Sequence, residues 1–395
     1  MDAIERFLQE RRENNLFREL RPADFRREGA IYFAGRRFLD FSSNDYLGLA
    51  NHPELKQAAK DALEELGTGA SASRLLSGDL EIHHRLEERI ALFKEKESAL
   101  AFNSGYQANV GIISALCKKD DAVFSDRLNH ASILDGILLS RAKIFRFFHN
   151  DPNHLEYLLR KERDKFRNCL IVTETVFSMD GDIPPLKEIA GLKEKYDCMF
   201  MVDEAHATGV FGRDGSGLIQ QEGLTDRVDL IMGTFGKALG SFGAYIAASK
   251  KTIDYLINTC RSFIYSTALP PAVIAANLAA LELLKKEPHR REVLLSNAEF
   301  FRSKLIKSGF RVKGSSQIVP LIIGDTGKAI ELSAYLENKG YWVLPIRPPT
   351  VPAGESRLRF SLTYHHTRQV LEGLIEEINK LCLNSWKGGG EKRSF

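Results

Sequence analysis

Cysteine is scarce, with five in 395 residues at 117, 169, 198, 260 and 382. None forms a Cys-x-x-Cys pair, which excludes a disulfide frame or a thiolate zinc site. The thiols are expected as buried small hydrophobes in a reducing compartment, so a cytoplasmic protein is the default. Charge of one sign is also lacking, since 55 basic against 52 acidic residues leaves +3. That is no field for nucleic acid, and Arg26-Arg27 and Arg36-Arg37 read as solvated faces. No apolar run approaches the roughly 20 residues that cross a bilayer. Met1–Arg6 has no apolar signal core, and its acids argue against a transit peptide. Neither a Walker A motif nor a Gly-x-Gly-x-x-Gly fingerprint occurs in suitable context. His83-His84 and His365-His366 lack metal-ligand spacing, so both pairs are expected to be structural and no metal site is expected.

What is present is alternation. Residues 1–20 have apolar residues at helical spacing, and 31–33 with 37–41 suit a hairpin across Ala34-Gly35. From about 41 to 285 short apolar runs alternate with helical patterns. Strands are expected at 99–102, 122–125, 144–148, 169–173, 199–202, 230–233 and 244–248. The fold class is therefore α/β, a mostly parallel sheet with helices on both faces. After 286 strands at 317–323, 341–344 and 358–362, with helices at 329–338 and 367–381, indicate a smaller C-terminal α/β domain. The expected division is an N-terminal segment 1–40, a large domain 41–285, a small domain 286–384 and a disordered tail 385–395.

Ligands in such sheets collect beyond the carboxyl ends of strands, and the chemistry-bearing residues fall there. Lys237 lies among small residues in Gly233–Gly240, after an expected strand, and Asp203-Glu204-Ala205-His206 follows another. A lysine able to trap a carbonyl and a carboxylate able to hold a heterocyclic nitrogen protonated together indicate pyridoxal 5'-phosphate (PLP) chemistry. Each residue also has a plainer reading. Lys237 alone could be a surface lysine, Asp203 a helix N-cap, His206 a core histidine and His130 a capping residue. Ser104-Gly105-Tyr106 opens an expected helix at 107–116 and suits a phosphate, or is simply a strand-to-helix turn. Arg357 and Arg359 share one strand face, and the residues alone favour solvent over a bound carboxylate there.

Several blocks in order complete the picture. They are Phe41–Gly48 (FSSNDYLG), Gly67–Gly78 (GTGASASRLLSG), Asn129–Ser132 (NHAS), Glu174–Asp182 (ETVFSMDGD), Asp203–His206 (DEAH) and Ile346–Pro352 (IRPPTVP). By these the chain, from about 4 to 382, resembles the PLP-dependent α-oxoamine synthases of fold type I, the aspartate aminotransferase-like class. The resemblance implies that Lys237 carries the cofactor as a Schiff base, Asp203 meets the pyridine nitrogen and His130 stacks on the ring. It places Ser178 and His206 near the phenolic oxygen, and Gly105, Tyr106 and Thr234 at the phosphate. Ser266 and Thr267 match a segment reaching a partner copy's phosphate, which implies a homodimer. Asn44 and Arg359 match groups that hold the amino-acid carboxylate, and Arg18 and Thr350 match positions near the acyl substrate. Ala72 stands where a glycine is common in the family, and Tyr364-His365 where smaller residues are.

The member most resembled condenses L-alanine with a pimeloyl thioester, carried by coenzyme A or an acyl-carrier protein, with loss of carbon dioxide. Glycine-using sister enzymes, a same-fold aminotransferase and a non-catalytic subunit are the alternatives.

Overall fold

The computed structural model describes residues 2–385, so the tail expected at the C-terminus lies, from 386 on, outside the described residues. The strands in chain order are β1 (Phe25–Arg27), β2 (Ala30–Phe33), β3 (Arg36–Asp40), β4 (Ser98–Phe102), β5 (Ala122–Asp126), β6 (Lys143–Phe147), β7 (Cys169–Glu174), β8 (Met199–Asp203), β9 (Leu230–Thr234), β10 (Ala244–Ala248), β11 (Ile318–Gly324), β12 (Tyr341–Trp342), β13 (Pro345–Ile346) and β14 (Ser356–Ser361). They belong to two compact units. One holds Asp45–Ser178 and Ile183–Arg291, the other Met1–Asn44, Met179–Asp182 and Glu292 onward.

The larger unit is built on a seven-stranded sheet of order β4-β10-β9-β8-β7-β5-β6. The strands from β9 to β6 pair in parallel, while β10 runs antiparallel to both β4 and β9. Strands β5, β7, β9 and β10 are buried at every residue. Continuous apolar runs of this kind are what a sheet covered on both faces requires. Leu100, Val123, Leu170, Val172, Met201, Met232 and Ile246 form its core with the helix Gly105–Leu116.

In the smaller unit β2 and β3 form the expected hairpin, with Ala34 and Gly35 both at positive φ (49° and 75°). Two consecutive left-handed residues give the turn whose twist suits a tight hairpin. β12 joins β3 in parallel, and Ile31, Phe33, Phe38 and Trp342 close a small core. The strand expected over 341–344 is only two residues long. A second sheet has the order β11-β14-β13.

The N-terminal helix differs from expectation. It spans Ala3–Glu13, not 1–20, and buries no residue. Asn15 takes a left-handed φ of 56° that ends it, so Leu16, Phe17 and Leu20 never extend its apolar face. Helical spacing there does not reflect a core within this chain.

A buried ion pair underlies the larger unit's sheet. Lys94 Nζ lies 2.6 Å from Glu204 Oε2 with both side chains almost wholly inaccessible, and also donates to Thr208 Oγ1 and the Ser216 carbonyl. Burial, the largest single influence, would lower the Lys94 ammonium, but Glu204 and Tyr245 together hold the group above the ordinary lysine value. Removing one partner of such a pair strands the other charge. Lys94→Met should therefore cost about 3–5 kcal/mol in urea melts. Lys94→Met/Glu204→Leu should lose less than the two single changes summed, because neither charge is then left alone.

Candidate active site

The loops leaving β4, β5, β7, β8 and β9 at their carboxyl ends line one cavity of about 300 Å³ in the larger unit. Its walls include Gly105, Tyr106, His130, Asp203, His206, Thr234 and Lys237, so seven expected residues meet in one place. Lys237 sits on the bend after β9, with Nζ 2.8 Å from His206 Nε2. The other ring nitrogen of His206 lies 2.6 Å from the Tyr46 hydroxyl, and Tyr46 is wholly buried. His206 is thus bound at both nitrogens, which sets the edge it turns to the lysine.

Asp203 ends β8, and no helix begins there, so it is not a helix cap. Its carboxylate is buried and accepts from the Ala205 backbone N–H at 2.8 Å and from the Asn109 amide at 2.9 Å. His130 does cap the helix Ala131–Ser140, and the same residue borders the cavity. Its plainer and functional readings coincide. Partial desolvation holds its imidazolium below the ordinary histidine value, with Lys237 adding to the effect and Asp203 opposing it.

The helix Gly105–Leu116 presents its N-terminus to the cavity under the Ser104 cap. Its first backbone N–H groups lack intrahelical acceptors. A Cβ at Gly105 would lie 2.8 Å from Thr234 Cγ2, so glycine lets strand and helix meet. Thr234 Oγ1 is buried with no partner among the described residues. An orphaned hydroxyl beside a helix N-terminus fits a phosphate group. The Tyr106 hydroxyl instead engages Asp135.

Other expected residues lie elsewhere. Ser178 follows β7 but is not among the cavity's walls. Ser266 and Thr267 are also outside it: Ser266 accepts from Gln107 at 2.7 Å, and the Thr267 carbonyl from Asn103 at 2.9 Å. Asn44, Arg359, Arg18 and Thr350 belong to the smaller unit. There both terminal nitrogens of Arg359 lie 3.3 Å from Asn44 Oδ1, and Arg359 also donates to Ser361. Arg18 donates to Thr350 at 3.2 Å. The solvent-facing reading of the two strand arginines is wrong: Arg357 and Arg359 are 1% and 8% exposed. Arg357 pairs with Asp180 and Glu355, supplying the carboxylates that strand alternation could not reveal.

The two histidine pairs are structural in their contacts. His366 stacks on Phe41 at 3.9 Å, His83 bonds the Leu269 carbonyl and His84 bonds Asp79. Three polar cavity residues escaped the sequence, namely Asn109, Glu174 and Ser132. Glu174 and Ser132 lay inside quoted blocks, but nothing local marked their side chains as cavity-facing.

The family model described as aminotransferase class I and II matches residues 36–378. The chain belongs to the class I and II aminotransferase family. Within it, the chain is 50% identical over 374 residues to the 8-amino-7-oxononanoate synthase of Geotalea daltonii, covering 94% of this chain and 95% of that protein. The serine palmitoyltransferase of Sphingomonas wittichii superimposes with a TM-score of 0.91 at 31% identity, covering 97% of this chain and 98% of that one. A serine palmitoyltransferase from S. paucimobilis with bound PLP–myriocin aldimine gives a TM-score of 0.90 at 31% identity, covering 97% of each chain. The fold is thus the fold type I α/β architecture of this family.

Glu174 gives the site a pH signature. Burial first, then the Asp203 charge, push its carboxyl from 4.5 up to about 8, against the opposing Lys237 charge and the His130 N–H. A raised carboxyl contributes stability that is complete below about pH 4.5 and is lost as pH rises through about 8. Glu174→Gln should therefore flatten the fall in unfolding free energy across that window, as read from urea melts at a series of pH values.

Proposed function

We propose that the protein is an 8-amino-7-oxononanoate synthase. It is a PLP-dependent acyltransferase that condenses L-alanine with a pimeloyl thioester, releasing carbon dioxide and free thiol, in biotin biosynthesis. The observation that carries this is the Lys237–His206 contact of 2.8 Å in the cavity that also presents Asp203, His130 and Thr234. Half-identity to a named synthase over nearly the whole chain supports the same reading.

The cavity fits PLP: an amine, a buried carboxylate, a flat imidazole and a phosphate-ready helix end converge there. When bound, PLP supplies a conjugated cationic ring that withdraws electrons from the amino acid's Cα. Lys237 would anchor its aldehyde carbon, Asp203 would keep its ring nitrogen protonated and His130 would lie against its face. Ser178 and His206 are assigned to its phenolic oxygen, and Gly105, Tyr106 and Thr234 to its phosphate. Ser266 and Thr267 are assigned to the phosphate held by a second copy in a homodimer.

Lys237 is the single lysine among the residues lining the cavity, so its Nζ is the group that takes and returns the proton at Cα of alanine. His206, held at both ring nitrogens, orients that amine. In the smaller unit Arg359 offers a planar fork of donors suited to a carboxylate, already steadied by Asn44 and Ser361. It is assigned to the amino acid's carboxylate, and Arg18 with Thr350 to the acyl substrate. The partners are then small molecules, with an acyl-carrier protein as one form of the donor. No described helix is long and apolar enough to cross a membrane.

The purified protein should yield a product of the mass of 8-amino-7-oxononanoate when alanine, glycine and serine are crossed with acetyl, succinyl and pimeloyl thioesters. A preference for glycine or serine would overturn the assignment in favour of a sister synthase. Lys237→Ala should fold normally and turn over at background. Arg359→Leu should raise KM for alanine at least about tenfold, since a charged hydrogen-bonded pair is worth about 1.5–3 kcal/mol.

A further inference from the structure

Within the cavity wall a chain of hydrogen bonds links Asp203 to His130. Asn109, in the helix Gly105–Leu116, places Nδ2 2.9 Å from Asp203 Oδ2 and 3.0 Å from Ser132 Oγ. Ser132 Oγ in turn lies 2.8 Å from His130 Nδ1. Asn109 and Ser132 are wholly or nearly inaccessible, at 1% and 0%.

The direction of every proton in this chain follows from its first member. An ionised carboxylate only accepts, so the amide atom facing Asp203 is the nitrogen and Asn109 is held in one orientation. Its Oδ1 then finds no partner among the described residues, a cost that the reverse orientation would exchange for oxygen against carboxylate. The same NH₂ group donates its second proton to Ser132 Oγ, which leaves the serine hydroxyl to donate onward. His130 Nδ1 therefore accepts, and the Ser132 backbone N–H, 3.3 Å away, points at the same nitrogen. Two donors on one ring nitrogen exclude a proton there.

We propose that Asn109 and Ser132 are positioning residues that hold His130 as the Nε2-protonated imidazole, so that it meets the substrate as a hydrogen-bond donor and not as a base. This rests on the catalytic reading of the cavity, and it sharpens the division of labour within it. A histidine whose Nδ1 is already occupied and whose Nε2 already carries a proton has no site to receive the Cα proton. That leaves the task to Lys237. Asp203 has a second role through Asn109, since the charge assigned to the cofactor nitrogen also fixes the tautomer of the ring opposite.

The test reads the proton directly in the holoenzyme, labelled with ¹⁵N-histidine and with His130 assigned by comparison with His130→Asn. At neutral pH His130 should show an unprotonated Nδ1 and a protonated Nε2. Asn109→Asp turns the double donor into an acceptor, pulls the Ser132 hydroxyl away and should move the Nδ1 resonance toward its protonated position. Ser132→Ala, which adds no bulk and removes one of the two donors, should move it the same way by less. The same variant should lower kcat about 5- to 30-fold, the range expected for one buried hydrogen bond, with the cofactor absorbance retained. A parent His130 protonated at Nδ1 would overturn the proposal. So would a Ser132→Ala holoenzyme with parental resonances and parental kcat, even where Asn109→Asp does not fold. Absence of any condensation product from the parent would instead sink the functional reading and leave the tautomer signal as it stands.

Discussion

A buried carboxylate organises this site. Asp203 is 5% exposed at the end of a central strand, and an ionised group there must be met by donors or be neutralised. It receives one backbone N–H from Ala205 and one side-chain N–H from Asn109. The first bends the chain into the loop that carries His206. The second ties the strand to the helix whose N-terminus faces the same cavity. Satisfying one charge thus sets the relative placement of Asp203, the N-terminus of that helix and His206, the neighbour of Lys237.

A second charge constraint lies beneath. Glu204, next in sequence to Asp203, points the other way into the pair with Lys94 and also accepts from the Ile219 N–H at 3.0 Å. Adjacent carboxylates on opposite sides of the chain anchor the loop from above and below. The approach is close: a Cβ at Gly217 would fall 2.3 Å from Glu204 Oε2, and one at Gly233 2.2 Å from the Tyr245 hydroxyl. Glu174 is the counterweight. Its carboxyl takes the His130 N–H at 2.7 Å, while its own charge is disfavoured by burial and by Asp203. Asp203 is met by two donors, and its charge in turn disfavours ionisation of Glu174.

Much of the fold was legible because the large sheet's strands are short, largely apolar runs bounded by turns, and each falls within a residue or two of its expected place. Lys237, Asp203, His206 and His130 were legible because they follow those runs, where an open α/β sheet collects ligands. The failures have physical causes. Helical spacing at the N-terminus marked a face that this chain does not bury. Arg357 looked solvent-directed because its acidic partner Asp180 is 177 residues away. Nothing in the local sequence singles out Asn109 or Tyr46. Their roles arise only from contacts across 94 and 160 residues.

The sequence by itself determined the chemistry available: one lysine among small residues, one aspartate after an apolar run and one helix opening on glycine. Local composition is enough for that, since strand ends and turns are encoded by neighbours in the chain. Tertiary structure alone decided how those groups are oriented. The direction of a proton along Asp203, Asn109, Ser132 and His130 depends on hydrogen-bond geometry between two strand ends and two helices. Donor and acceptor roles are properties of a pair at a distance, and no single residue carries them.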